Sequence, residues 1–305
     1  MTRILVAGEL NADLVMSGLP SLPILGRELV GDDFQTVMGS SSAITAARLA
    51  KLGADVDYVG IVGDDNLGSF VVNALGNFGV GIENISQVNQ RTGVTIALTY
   101  AQDRALLTFP GTIETYSGDN ITSELLSSYA HIHVGSFFLQ TALQPNLANI
   151  FQLAHDNGLT VSLDVGWDPR EQWAKNSHLY PTLKHVDYFI PNQDETRAIM
   201  GEDQLIEDFS GYVGGVLIMK RGKDGAIAYN KNGESVSVPS LKVNVVDTTG
   251  AGDAFNAGFI FATCVEKQSI QDALRFASAC GAQAVTQIGG ATNAPSAANI
   301  KKIYL

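Results

Sequence analysis

Cysteine is nearly missing from this chain: Cys264 and Cys280 are the only two in 305 residues. A disulfide framework is thereby excluded as the source of stability. Both fall in Ala-rich apolar stretches, where reduced core thiols are expected. Histidine is sparse as well, with five in all. His131 and His133 are read as facing opposite ways along a strand, and His155, His178 and His185 have no ligand spacing, so no histidine-built metal centre is expected. Basic charge is in deficit: 19 Lys and Arg stand against 31 Asp and Glu, a net −12. Such a chain, with no basic block, is unsuited to wrapping nucleic acid or docking on anionic lipid. A small phosphate ligand held by backbone amides is untouched by that argument. No apolar run approaches the ~20 residues that span a bilayer. Thr2-Arg3-Ile4-Leu5-Val6-Ala7-Gly8 runs straight into a strand without a signal-peptide pattern. A cytoplasmic enzyme with a small-molecule partner, no nucleic acid and no membrane is the expectation.

What is present is a rhythm. Hydrophobic residues make up 45% of the chain, enough for a substantial core. Short apolar runs at Ile4–Ala7, Tyr58–Val62, His131–Val134, Thr160–Asp164, Tyr188–Ile190 and Val216–Lys220 read as buried strands. Ile44–Leu52, Leu67–Phe78, Asn146–Asn157 and Glu195–Met200 read as helices, and Ala251–Val265 and Ser269–Gln287 make the last third strongly helical. This alternation predicts an α/β protein, a mainly parallel sheet with helices on both faces. Such sheets bind ligands at the carboxyl ends of their strands. Two regions break the rhythm. Residues 14–37 hold Pro20, Pro23, Gly26 and Gly31 between β-like pieces, and residues 93–110 read as a hairpin across Gln102-Asp103. Together they predict a small second sheet above a core made of residues 1–13, 38–92 and 111–305.

The most informative stretch is Val245-Val246-Asp247-Thr248-Thr249-Gly250-Ala251-Gly252-Asp253-Ala254-Phe255. It reads as a strand end, a glycine turn and a helix start. Gly250, Ala251 and Gly252 let backbone N–H groups converge, and the helix N-terminus adds unpaired amides and its positive dipole end. That pocket suits a phosphate. Asp253 lies in the first helical turn beside it, either as a base for an in-line hydroxyl or as a complement to the dipole.

Asp247-Thr-Thr-Gly-Ala-Gly-Asp253-Ala-Phe resembles the C-terminal signature of the ribokinase-like (PfkB) carbohydrate kinases. Gly8-Glu-Leu-Asn11-Ala-Asp13, Gly39 with the Ala-rich segment after it, Val62-Gly-Asp-Asp-Asn-Leu-Gly68 and Asn192-Gln-Asp-Glu195 match further motifs in order. The resemblance spans the chain. It implies a three-layer α/β/α fold with a β lid formed by residues 14–37 and 93–110. It also implies ATP-dependent phosphorylation of a sugar or sugar-acid hydroxyl, with Asp253 as base and Gly250-Ala251-Gly252 as anion hole. A nucleoside kinase and a non-catalytic ligand-binding homologue are the alternatives. By the same resemblance, Asn11, Asp13, Gly39, Ser40 and Ile44 border the acceptor. Asn192 and Glu195 organise magnesium through water, although the pair also reads as an ordinary helix cap. Lys220, Gly222, Gly225 and Ser278 border the nucleotide, and solvated loop lysine is the other reading of Lys220. Asp247 and Thr249, with carbonyls of the Gly289-Gly290 turn, are implied as ligands of a monovalent cation such as potassium. Asp247 alternatively caps its turn. A homodimer through the lid is a further implication. The chain departs from the family where adjacent glycines become Gly39-Ser40 and an asparagine becomes Ile44, which points to hexose, ketose or sugar acid rather than ribose.

Overall fold

The computed structural model describes residues 2–100, 104–201, 205–287 and 289–304. Its first strand, β1 (Arg3–Gly8), shows why the apolar runs are continuous: Ile4 and Val6 enter one core, Leu5 and Ala7 the other. A strand covered on both faces has no solvent side to leave polar. The remaining strands are β2 (Asn11–Ser17), β3 (Asp33–Met38), β4 (Asp55–Gly63), β5 (Gly81–Val88), β6 (Gly93–Thr99), β7 (Arg104–Phe109), β8 (His131–Val134), β9 (Thr160–Leu163), β10 (Tyr188–Phe189), β11 (Val216–Lys220), β12 (Ala226–Tyr229) and β13 (Ser235–Val238). Nine strands form one sheet in the order β13-β12-β11-β10-β9-β8-β1-β4-β5. Pairings from β11 through to β5 are parallel, and β12 and β13 turn back antiparallel at one edge.

The helices are α1 (Ser41–Leu52), α2 (Asn66–Asn77), α3 (Ser123–Leu126), α4 (Gln144–Asp156), α5 (Leu179–Leu183), α6 (Gln193–Met200), α7 (Ile206–Ser210), α8 (Ala251–Ile260), α9 (Ile270–Ala284) and α10 (Ala297–Tyr304). Helices α1, α2, α8, α9 and α10 pack one core, and α3 to α7 the other. The architecture is three layers, α/β/α. Strand β1 lies inside the sheet, with β4 on one side and β8 on the other. The chain order reverses there, and the crevice outside such a switch point is where open α/β sheets hold ligands.

Strands β3-β2-β6-β7 form the second sheet, reached from β1 through Glu9 and Leu10 alone. Its register puts Asn11, Asp13, Thr95, Thr108 and Arg104 on one face, and Leu14, Met16, Phe34, Ile96, Leu107 and Phe109 on the other. The expected turn residues Gln102-Asp103 lie outside the described residues.

Three findings differ from the sequence reading. His131 and His133 do not face opposite ways: both hydrogen-bond Ser162 Oγ at 2.8 Å. Residues two apart on a strand point to the same side. Both are fully buried, and that burial holds His131 near 3 and His133 near 4, so both imidazoles are neutral. The segment before the glycine turn is not a strand; Val245 and Val246 are exposed, and Val246 N–H meets the Val285 carbonyl instead. Finally, Phe261–Val265 continues α8 as a π-helical turn rather than as α-helix. Cys264, in that turn, and Cys280 are buried free thiols.

Candidate active site

Gly250 begins the site. It caps α8 at φ 72°, a left-handed conformation suited to glycine. A Cβ there would lie 2.7 Å from Gly290 Cα, so two backbones touch at this point. Asp247 ties the same two segments. Its Oδ1 accepts from Thr249 N–H at 2.9 Å and from the Thr249 hydroxyl at 2.7 Å, and its Oδ2 accepts from Gly289 N–H at 3.1 Å. Burial alone would push Asp247 up, but these hydrogen bonds outweigh it and hold the carboxylate below its ordinary pKa. From the second sheet, Arg104 donates to the Thr249 hydroxyl.

Asp253 sits in the first turn of α8, and the Ser41 hydroxyl donates to its Oδ1 at 2.6 Å. Enclosure of the carboxyl is the main force that raises its pKa to about 7; Asp164 and Glu9 add to the rise, and Ser41 and Lys220 oppose it. Beneath it Lys220, at the end of β11, donates to Asp164 Oδ2 at 2.6 Å and to Asn256 Oδ1 at 3.2 Å. Asn256 Nδ2 closes the triangle on Asp164 Oδ2 at 2.5 Å. The Lys220 ammonium also lies 3.5 Å from where a Gly252 Cβ would be. Of the two readings of Lys220, the solvated one is thus removed: its side chain is 13% exposed and ion-paired below the glycine turn.

Asn192 caps α6 in a full capping box, Asn192 N–H to Glu195 Oε2 at 2.7 Å and Glu195 N–H to Asn192 Oδ1 at 2.8 Å. Glu195 is buried, which with Asp164 nearby lifts its pKa to about 7. Asp164, Glu195 and Asp253 therefore share one ammonium. That excess of carboxylate suits a divalent cation, which takes oxygen ligands and keeps its waters. No group of three or more metal-ligating side chains occurs among the described residues.

On the acceptor side, Asn11 Nδ2 donates to Asp13 Oδ1 at 2.8 Å. Burial lifts Asp13 to about 6 against the pull of Asn11 and Arg104. Gly39 faces this pair so closely that a Cβ would lie 2.1 Å from Asp13 Oδ1. Ser40 takes the place of the second family glycine at φ 70°, and its hydroxyl is committed elsewhere: it caps Ala43 N–H at 3.0 Å and donates to the Glu9 carbonyl at 2.6 Å. Ile44 is buried against Gly290. The chain thus runs from Gly39 at the Asn11–Asp13 pair, through Ser40, to Ser41 on Asp253.

The residues expected at the nucleotide are less gathered. Gly222 opens a short 3-10 turn, and Gly225 makes its close approach to the Val238 carbonyl, 2.0 Å from a would-be Cβ, which is a β12–β13 contact. Ser278 lies on α9 one turn before Gly281, which packs on the Ala251 carbonyl. Its buried hydroxyl finds no partner among the described residues, a polar atom suited to a ligand. Sequence reasoning missed Ser41 as the partner of Asp253, along with Asn256, Glu9 and Arg48. Asn256 carried a signal, being three residues after Asp253 on the same helix. Glu9, buried and bonded to Ser42 N–H at 3.1 Å and the Ser42 hydroxyl at 2.6 Å, looked like one more strand-end residue.

A buried carboxylate in the first turn of a glycine-capped helix, with Lys220 and Asp164 beneath it, is an arrangement suited to handling phosphate, and the family match makes the protein a carbohydrate kinase. The chain belongs to the pfkB family of carbohydrate kinases, whose pattern its residues 1–297 match. It is 29% identical to the ribokinase of Bacillus subtilis (strain 168), over 99% of each chain. It is 33% identical to the ATP-dependent ribose-1-phosphate kinase of Halopiger xanaduensis, over 97% of this chain and 96% of that one. Its fold matches the crystal structure of a putative ribokinase II from E. coli in complex with ATP and Mg²⁺, with a TM-score of 0.86 and 23% identity over 99% of this chain and 98% of the other.

Proposed function

We propose that the protein transfers the γ-phosphoryl group of ATP to a hydroxyl of a sugar or sugar acid, with Asp253 as the general base. The observation that carries this reading is the Asp253 carboxyl, raised to about 7 and set between the Gly250–Gly252 turn and the Gly39–Ser41 segment. A base poised near working pH takes a proton efficiently. Asn11 and Asp13 hold the acceptor, Asp253 Oδ2 or Oδ1 receives the hydroxyl proton as the new O–P bond forms, and the bond to the ADP oxygen breaks. Of the three turn amides, Ala251 N–H already meets the Thr248 carbonyl at 3.3 Å, so those of Gly250 and Gly252 face the charge that shifts during transfer. Lys220 holds Asp164 and Asn256 in place under that turn. Magnesium, held through water by Glu195, would neutralise phosphate charge. Ser278 lines the nucleotide side.

An ADP-release assay with ribose, fructose, 2-keto-3-deoxygluconate and a nucleoside set tests the reading. A hexose, ketose or sugar acid is expected to give the highest kcat/KM. Release from nucleosides alone would move the assignment to a nucleoside kinase, and no release from any of them would favour a binding protein.

The second sheet acts as a lid in this reading, closing its polar face over the acceptor and excluding water. Its other face leaves Phe34, Leu107 and Phe109 more than half exposed, at 55%, 55% and 51%. An apolar sheet face of that kind calls for a cover, and a second copy of the lid supplies one. Sedimentation should show a dimer at micromolar concentration and a monomer for Leu107→Glu; a monomeric wild type would refute the pairing.

A further inference from the structure

Arg48 lies on α1, and only 5% of it is exposed. Its Nε donates to the Gly290 carbonyl at 2.7 Å and its Nη1 to Gln283 Oε1 at 3.3 Å. Among the described residues no carboxylate is within ion-pair distance of it. Burial of the guanidinium lowers its pKa, and the Asp253 carboxylate, beyond ion-pair distance, works against that shift.

What it supports is visible in the spacing. Ser41, Ile44 and Arg48 are three and four residues apart, which sets them on one stripe of α1. Ser41 bonds the base, Asp253. Ile44 lies against Gly290, where a Cβ would be 2.8 Å from Ile44 Cδ1. Arg48 holds the carbonyl of that same Gly290. Gly290 in turn touches Gly250, the cap of the anion turn. One stripe of a helix therefore grips the base directly and the amide-bearing turn through Gly290.

Of the groups expected to hold a monovalent cation, the Gly290 carbonyl is already held by a cation of the chain itself. Both Asp247 oxygens accept from N–H or O–H donors, and the Gly290 carbonyl accepts from a guanidinium. A second cation at this turn would meet the charge of Arg48.

We propose that Arg48 is a positioning residue for phosphoryl transfer, a resident cation that fixes the Gly289–Gly290 turn, and through it the Gly250–Gly252 amides, without a bound monovalent ion. The proposal rests on reading that turn as the phosphate pocket. Ile44 belongs to the same device: an apolar side chain braces the glycine whose carbonyl the guanidinium holds.

The test uses the full-length protein, with wild type, Arg48→Ala and Arg48→Lys compared in potassium chloride and in choline chloride. Tm and the Kd of ADP are read alongside kcat and both KM values. Wild type should give the same values in the two salts. Arg48→Ala in choline should lose kcat by about 30-fold and bind ADP about tenfold more weakly, while the acceptor KM stays within about twofold, because the loop and not the Asn11–Asp13 pair is loosened. Potassium should restore ADP binding in this variant, now that the Gly290 carbonyl is free of the guanidinium. Arg48→Lys should keep most of the wild-type kcat and its indifference to salt. A wild type that needs potassium would overturn the proposal. So would an Arg48→Ala protein with unchanged kcat and ADP binding, or one whose losses neither potassium nor lysine repairs. If no acceptor is phosphorylated, the kinase reading fails while the ADP Kd and Tm still decide the role of Arg48.

Discussion

Asp253→Asn should lose turnover by ~10²–10⁴-fold, the usual contribution of a positioned base. The Kd of ADP should stay close to wild type, because the amides of the turn and the Ser41 hydroxyl remain in place. The variant keeps the shape and an oxygen for Ser41, and removes only the capacity to take a proton. The pH profile gives the same residue a second readout. Asp253 and Glu195 are both raised to about 7, chiefly by burial. Below that pH the Asp253 carboxyl is protonated and cannot act as a base. The wild-type kcat/KM, which reports the free enzyme, should therefore climb as pH rises through about 7, with Asp253 and Glu195 both losing protons over that limb. In Asp253→Asn the limb should become shallower, since one of the two groups no longer titrates. Unchanged turnover in the Asn variant would remove Asp253 from the mechanism.

Gly39→Ala should have the next largest effect, on the acceptor rather than the nucleotide. The backbone at Gly39 is not left-handed, so the argument is purely one of space. The added Cβ would lie 2.1 Å from Asp13 Oδ1 and 2.5 Å from Asn11 Nδ2. The hydrogen-bonded pair would have to part or tilt by an ångström or so, and displacement on that scale costs about 100-fold in rate. We expect kcat/KM for the acceptor to fall by about that factor with ADP binding intact. Equal effects on acceptor and ADP would show that the substitution disturbs the fold at large, and no effect on the acceptor would place its site elsewhere.

The fold was largely legible because its strands are covered on both faces. Continuous apolar runs such as Val216–Lys220 leave few alternatives, and the helices between them keep their period. The edge strands β5 and β13, and β12 beside the latter, escaped notice, since β5 is only partly buried and β13 is four residues with serines at alternate positions. The glycine turn and the place of Asp253 in the first turn of α8 were legible because glycine spacing and a helix start are local signals. The partners of Asp253 were not. Ser41 is 212 residues away, and a serine near a helix start looks the same whether it caps, bonds a base or meets solvent. Ser40 illustrates the point: it fills a glycine position at positive φ and spends its hydroxyl on the cap of α1. Arg48 was hidden for a different reason. Arginine on a helix is ordinarily a solvated residue, and only the tertiary structure shows it buried against a glycine carbonyl.

The interior position of β1 has a consequence for the chain as it is made. This strand precedes the other described strands in the chain, yet one of its two neighbours, β8, begins at His131. Until then one edge of β1 has no partner, and contacts so distant in sequence close slowly. Asp253, the proposed base, comes later still, while Ser41, which bonds it, is made early on α1. The nascent chain thus carries every described strand of both sheets before the Gly250–Asp253 turn exists to meet Ser41.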